Sequence, residues 1–253
     1  MSGGGSTAGR GSGPTLSFLG ASKSFGSVDA LAPTDLAVAP GEFVSIVGPS
    51  GCGKSTLLRL ASQLEQPTSG AIERVTDAVA YVFQDATLMP WRTVRRNVEL
   101  LCELDGVGRA ERHERVDRVL EVVGLSDFAE HRPHQLSGGM RMRASLARSL
   151  VLDPKLFLLD EPFGALDSIT RIRLNVELMQ LFHERRFSTL FVTHSVDEAV
   201  FLSTRIVVMS PRPGRLVAEH HVPFPYPRPP ELRYGPEFAA LAGEVAASLE
   251  AVH

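Results

Sequence analysis

The sequence is short of the features that mark several large protein classes. It has two cysteines in 253 residues, Cys52 and Cys102. That is too few for a disulfide framework and fits a reducing compartment. No apolar run approaches the roughly 18–20 residues that a membrane-spanning helix needs; the longest candidate, Ala78 to Phe83, is strand-sized. The start of the chain lacks the apolar core of a signal peptide. No charge of one sign dominates: 26 Lys+Arg stand against 29 Asp+Glu, a net charge of −3. A near-neutral chain has no global electrostatic footprint for nucleic acid, and none is expected as a partner. No Cys/His spacing suits zinc. These absences lead to the expectation of a cytosolic chain whose role at a membrane, if it has one, comes through partner proteins.

What is present is ordinary globular material, 43% hydrophobic and 22% charged. Residues 1–14 read MSGGGSTAGRGSGP, a Gly/Ser-rich stretch expected to be a disordered tail. Order is expected from Thr15, with one domain over residues 15–253. Short apolar runs predict strands at Leu16–Leu19, Glu42–Val47, Ala78–Phe83, Leu156–Leu159, Thr189–Thr193 and Arg205–Met209. Several lack period-two polarity, as expected of strands covered on both faces. Helical patterns predict helices over Ser55–Leu64, Val94–Leu104, Arg109–Val123, Ser137–Leu152, Asp167–Arg186 and Ser195–Ser203. The alternation argues for an α/β fold with a mainly parallel sheet. Residues 88–152 carry helices and no convincing strand, so a helical subdomain is expected there. Residues 211–253 should form a Pro-rich loop and a last helix, Pro236–Val252.

The chemistry begins at Gly48-Pro49-Ser50-Gly51-Cys52-Gly53-Lys54-Ser55-Thr56, which fits G-x-x-x-x-G-K-[ST] between a predicted strand and a predicted helix. Gly48, Gly51 and Gly53 allow a tight turn whose N–H groups face phosphate oxygens. The helix directs its positive end at the same anion. Lys54 is placed to reach the β- and γ-phosphates and Ser55 to ligate Mg²⁺. A second feature is Leu156-Phe-Leu-Leu-Asp160-Glu161, an apolar strand that runs into two acids. Asp160 is placed to hold Mg²⁺ and Glu161 to polarise water. A third is Ser137-Gly138-Gly139 before a helix, which suits a further phosphate contact or, alone, a capping turn.

The order of these motifs resembles the ATP-binding subunits of ABC transporters, and the resemblance runs from Thr15 to about Val217. It implies a P-loop NTPase (RecA-like) core, an N-terminal antiparallel β part and an inserted helical subdomain. It also implies that Phe25 stacks on adenine and that Gln84 is the Q-loop residue, with a catalytic role and a place at the metal. Ala165-Leu166-Asp167 matches the D-loop and His194 the switch histidine. Without the family, Phe25 reads as core, Gln84 as surface and His194 as a structural histidine. The remaining histidines, His220 and His221 among them, read as structural. Met140 stands where the family signature usually has Gln. That Met, the segment Gln84-Asp-Ala-Thr-Leu-Met-Pro90-Trp91 and Pro211-Arg-Pro-Gly-Arg215 are similar to the nitrate, sulfonate and taurine importers.

The resemblance implies ATP and Mg²⁺ as ligands and a head-to-tail homodimer, with each ATP held between the cradle of one chain and Ser137-Gly138-Gly139 of the other. It further implies transmembrane permease subunits, indirectly a solute-binding protein, and a peripheral location on the cytoplasmic face of the cell membrane. Leu88, Met89, Pro90 and Trp91 are an apolar cluster that suits either partner contact or local core. Arg92, Arg95 and Arg96 suit a solvated helix face or a partner's acids. Two other readings stand beside this one. A soluble ABC-type ATPase of DNA repair or translation would carry two cassettes or a long coiled-coil insertion. A regulatory subunit that binds nucleotide without turnover would not need Glu161 and His194. Cys52, at a helix N-terminus beside Lys54, is expected to favour thiolate and react with a maleimide.

Overall fold

The structure, a computed structural model, describes residues 13–164 and 166–252. The tail expected over 1–14 therefore lies, for residues 1–12, outside the described residues, as does Ala165 of the expected D-loop. Six strands form one sheet in the order β5 (Val79–Val82), β6 (Leu156–Asp160), β7 (Ser188–Val192), β3 (Phe43–Val47), β8 (Arg205–Met209) and β9 (Leu216–His221). The first five run parallel and β9 pairs antiparallel with β8. A second, antiparallel sheet holds β2 (Val28–Val38), β1 (Leu16–Phe25) and β4 (Ser69–Arg74).

The continuous apolar strands follow from burial on both faces. Along β3, Phe43 and Val47 face one core while Val44 and Ile46 face the other. The same division separates Phe157 and Leu159 from Leu156 and Leu158 in β6. One face is covered by α1 (Lys54–Ala61) through Leu57, Leu58 and Leu60, with Leu16, Phe18, Leu31 and Leu36 of the small sheet. The other is covered by α5 (Ser168–Arg185), α6 (Val196–Leu202), α7 (Pro236–Glu250) and the helices between β5 and β6. Those are α2 (Val94–Leu104), α3 (Arg109–Val122) and α4 (Gly138–Leu150), with no strand among them. Their buried Val98, Val116, Leu120 and Ala144 belong to the same apolar cluster as Phe157 and Phe191, so the insertion shares a core with the sheet.

Three strands were not expected individually. β2 contains Pro33 and polar residues, β4 is SGAIER, and β9 alternates half-buried with exposed positions. Each has alternating or mostly exposed positions, because one of its faces meets solvent, and so carries no continuous apolar run.

The Pro-rich segment after β9 is not a loose loop. Arg228 is 1% exposed and donates to the carbonyls of Val200 (3.1 Å), Phe201 (2.7 Å), Ser203 (2.9 Å) and Phe224 (2.8 Å from Nη2). Three of these belong to the C-terminal end of α6, whose last carbonyls have no helical partner. The guanidinium meets them with a positive charge at the negative end of the helix. Burial pushes the Arg228 pKa down from its ordinary value.

Truncating this side chain should orphan buried carbonyls and leave a cavity. Arg228→Ala is expected to cost about 3–5 kcal/mol and lower the thermal midpoint by about 10 °C. Arg228→Lys should recover only part, since a single ammonium cannot reach every carbonyl. Thermal unfolding followed by circular dichroism checks this; a midpoint unchanged in Arg228→Ala would refute the clamp.

Candidate functional site

Parallel strands end at one edge of their sheet, and the chemically interesting residues leave from that edge. β3 runs into Gly48, β6 ends at Asp160 and continues to Glu161, and β7 runs into Thr193 and His194. Gly48 is forced by space: a Cβ there would lie 2.8 Å from the Met209 carbonyl oxygen. Gly53, at φ 109°, caps α1, and its Cβ would lie 2.6 Å from the Ala30 carbonyl oxygen. The N–H groups of Gly51, Gly53, Lys54 and Ser55 meet no acceptor among the described residues. Four unpaired donors at the positive end of a helix have the chemistry that suits an anion. Lys54 is 5% exposed, and its Nζ donates to Gly48 (2.8 Å) and Pro49 (2.9 Å) carbonyls, folded across the cradle mouth.

The acids stand directly beside it. Ser55 Oγ donates to Asp160 Oδ1 at 3.0 Å and Tyr81 Oη to Asp160 Oδ2 at 3.1 Å. Burial pushes the Asp160 carboxyl up from its ordinary range, and these two hydroxyls pull it back. Asp160 makes no ion pair among the described residues. A buried carboxylate held by hydroxyls, beside a Ser oxygen, is a hard-oxygen set suited to Mg²⁺. Among the described residues no group of three His, Cys, Asp or Glu side chains could hold a metal alone. The set therefore fits an ion whose other ligands come with a nucleotide and water.

Glu161 lies between two partners: Oε1 is 4.0 Å from Lys54 Nζ and Oε2 is 3.3 Å from His194 Nδ1. Its backbone has φ 45°, a left-handed conformation unfavourable for a side chain with a Cβ. The bond from Glu161 N–H to the Val192 carbonyl at 2.9 Å holds that conformation against β7. The structure thus brings Lys54, Ser55, Asp160, Glu161 and His194 together. Thr56 follows in α1 and Ser50 in the turn.

The other expected residues lie around this centre. Phe25 is 44% exposed at the β1–β2 turn, with Lys23 Nζ 4.9 Å from its ring centre, so it is not core. Gln84 sits two residues beyond β5, exposed and without a hydrogen bond among the described residues. Ser137 caps α4, its Oγ accepting from Met140 N–H at 3.2 Å. A Cβ on Gly139 would lie 2.6 Å from Thr170 Cγ2, so the Gly-Gly pair packs against the start of α5. Asp167 caps α5 by accepting the Thr170 N–H at 3.0 Å, and that bond holds its carboxyl below the usual range. No hydrogen bond or ion pair joins Ser137, Gly138 or Gly139 to residues 48–56 among the described residues. Met140 is half-buried against the core.

Around the apolar cluster, Leu88 packs on the core and Trp91 is 70% exposed. Buried Asn97 shapes this loop by donating to the Met89, Arg92 and Thr93 carbonyls. Arg92, Arg95 and Arg96 pair with Glu103, Asp117 and Glu99. Tyr81 was missed in the sequence. The available signal was a phenol in a strand three residues before Gln84, where an apolar residue would have served burial alone.

Cys52 departs from expectation. It is 2% exposed, packed in the core cluster with Leu57 and Met209. Desolvation outweighs the attraction of Lys54, and its thiol is pushed above the ordinary value. At neutral pH it is a thiol, and Cys102 shares both its burial and the direction of its shift. Maleimide labelling at pH 7, followed by mass spectrometry, should therefore modify Cys52 no faster than Cys102. Rapid labelling of Cys52 alone would contradict its burial.

Comparison with known proteins gives the family of the chain. The ABC transporter family matches residues 31–164. The chain is 46% identical over 235 residues to the aliphatic sulfonates import ATP-binding protein SsuB 1 of Burkholderia lata, covering 91% of this chain and 70% of that protein. It is 42% identical over 233 residues to SsuB 1 of Pseudomonas syringae pv. syringae, covering 91% and 94%. Its fold is similar to the dimeric structure of a post-hydrolysis state of the ATP-binding cassette MJ0796 bound to ADP and Pi. That match has a TM-score of 0.73 and 32% identity, and covers 83% of this chain and 99% of that one. With more than half its length matched by the family, and most of it by whole relatives, the chain belongs to the ABC transporter family as an ATP-binding subunit.

Proposed function

We propose that this chain is the ATP-hydrolysing subunit of an importer of a small anionic solute, of the class of sulfonates, taurine or nitrate. The observation that carries the reading is the Lys54–Glu161–His194 row beside a cradle of unpaired N–H groups. The solute class rests on relatives named for aliphatic sulfonate import.

The N–H groups of Gly51 to Ser55 bind the phosphates, and Lys54 swings from the Gly48 and Pro49 carbonyls to the β- and γ-oxygens. Phe25 offers an exposed face for adenine. Ser55 and Asp160 would hold Mg²⁺, with Gln84 at the edge of the set. Bound there, the ion supplies positive charge to the β- and γ-phosphate oxygens. Glu161 accepts a hydrogen bond from the attacking water and orients it. His194, beside the second Glu161 oxygen, keeps that carboxylate aimed. The strained φ at Glu161 holds the carboxylate at the site before substrate arrives.

Among the described residues, Ser137, Gly138 and Gly139 have no hydrogen bond or ion pair to their own cradle. In this reading they and Asp167 meet the ATP held by a second copy in a head-to-tail dimer. No helix among the described residues is long and apolar enough to cross a membrane. In this reading, which rests on the family, permease subunits are separate chains, this one sits peripherally on the cytoplasmic face, and a solute-binding protein delivers the cargo. Exposed Trp91 with Leu88 lies on the insertion and suits contact with the permease.

The test is Glu161→Gln. It keeps the side chain's shape and removes its charge, so ATP affinity should stay within about threefold while turnover falls at least about a hundredfold. ATP should then hold a dimer in light scattering after gel filtration. Wild-type turnover in this variant would sink the assignment of Glu161.

A further inference from the structure

The segment Pro211-Arg-Pro-Gly-Arg215 has no part in the reading above, yet it touches the back of the phosphate cradle. It forms the tip of the β8–β9 hairpin, closed by Ser210 N–H to the Arg215 carbonyl (2.9 Å) and Arg215 N–H to Ser210 Oγ (3.1 Å). From this tip the Arg212 guanidinium reaches residue 51. Its Nε (3.1 Å) and Nη2 (2.9 Å) both donate to the Gly51 carbonyl. Arg212 is exposed and makes no ion pair among the described residues. Its contact is therefore with the cradle and not with a neighbouring acid.

The rest of the tip is fitted to the same loop. Gly214 is buried, and a Cβ on it would lie 2.2 Å from the Cys52 carbonyl oxygen. Gly214 N–H donates to the Ala30 carbonyl at 3.1 Å, and Ala32 N–H donates to the Gly214 carbonyl at 3.0 Å. The same Ala30 carbonyl stands 2.6 Å from where a Gly53 Cβ would be. The hairpin tip, β2 and the cradle therefore meet at close range, with the Met209 side chain packed among them and no room for a Cβ on Gly53 or Gly214.

We propose that Arg212 is a positioning residue for phosphate binding. In a planar trans peptide the C=O and the following N–H point in opposite directions. Fixing the Gly51 carbonyl outward on a forked guanidinium turns the Cys52 N–H inward, where it now faces the Pro49 carbonyl at a weak 3.4 Å. That donor is then preset for a phosphate oxygen. Gly51, at φ +75°, has no Cβ to hold this peptide plane, so the clamp must come from outside the loop. The guanidinium fork does this by geometry; its charge alone would not.

This inference rests on the reading that residues 48–56 hold the phosphates of ATP, and the test separates the two. A fluorescent ATP analogue is titrated into the full chain and into Lys54→Ala, Arg212→Ala and Arg212→Lys. Amide hydrogen exchange is followed across residues 48–56 without nucleotide, with thermal midpoints alongside. If the wild type does not bind, or Lys54→Ala binds as well as wild type, the reading of the cradle fails before Arg212 matters. Otherwise Arg212→Ala should bind about tenfold more weakly and exchange faster over 48–56, with its midpoint within about 2 °C of wild type. Arg212→Lys keeps the charge but loses the fork, so it should recover less than half of the lost affinity on a logarithmic scale. Unchanged affinity in Arg212→Ala, full rescue by Lys, affinity loss without faster exchange, or a collapse of the midpoint would each overturn the proposal.

Discussion

The parallel pairing of β3 with β7, and of β7 with β6, is the constraint on which the rest depends. It aligns the C-terminal ends of three buried strands, so residues more than a hundred positions apart leave the sheet side by side. Ser55 meets Asp160, and Glu161 meets His194, only because their strands are in this register. The alignment is maintained by cores on both faces of the sheet, which is why β3, β6 and β7 have no exposed position. A polar substitution in Phe157 or Leu190 would disturb the site without touching it, through the burial of an unpaired group.

That same burial explains what could be read in the sequence. Strands covered on both faces stand out as apolar runs, and Arg205–Met209 and Val94–Leu104 are found at the bounds expected for them. β2, β4 and β9 are edge strands with polar or alternating residues, and no apolar run marks them. The small antiparallel sheet was expected from the family resemblance alone. The last helix was readable and is found from Pro236 to Glu250, but the stretch between β9 and it was readable only as Pro-rich and not as structure. Its order comes from Arg228 against the end of α6, a pairing of a guanidinium with carbonyls that sequence distance hides.

Within the site, residues in motifs were legible because phosphate and metal chemistry fixes their types and spacing. Groups that act through other groups were not. Tyr81 and Arg212 come from a neighbouring strand and a remote hairpin, and each meets its partner by a contact between distant parts of the chain. Cys52 failed differently. Its position in the chain suggests a reactive thiol, but its side chain turns into the apolar cluster under α1, and desolvation decides its state. The general lesson is that spacing gives the chemistry of a loop, while solvent access and outside supports come only from the fold.

The central claim is that the site is shared between two chains, since among the described residues no hydrogen bond or ion pair joins Ser137-Gly138-Gly139 to the cradle of its own chain. It is tested most directly with mixed dimers of Lys54→Ala, which removes the phosphate charge, and Ser137→Arg, which fills the signature segment. If the sites are shared head to tail, both defects fall in one site of the mixed dimer and the other site is intact. Nucleotide trapped with a phosphate mimic should then reach about one per mixed dimer, against little in either parent homodimer. Trapping no better than in the homodimers, with mixed assembly confirmed by mass spectrometry, would contradict the account.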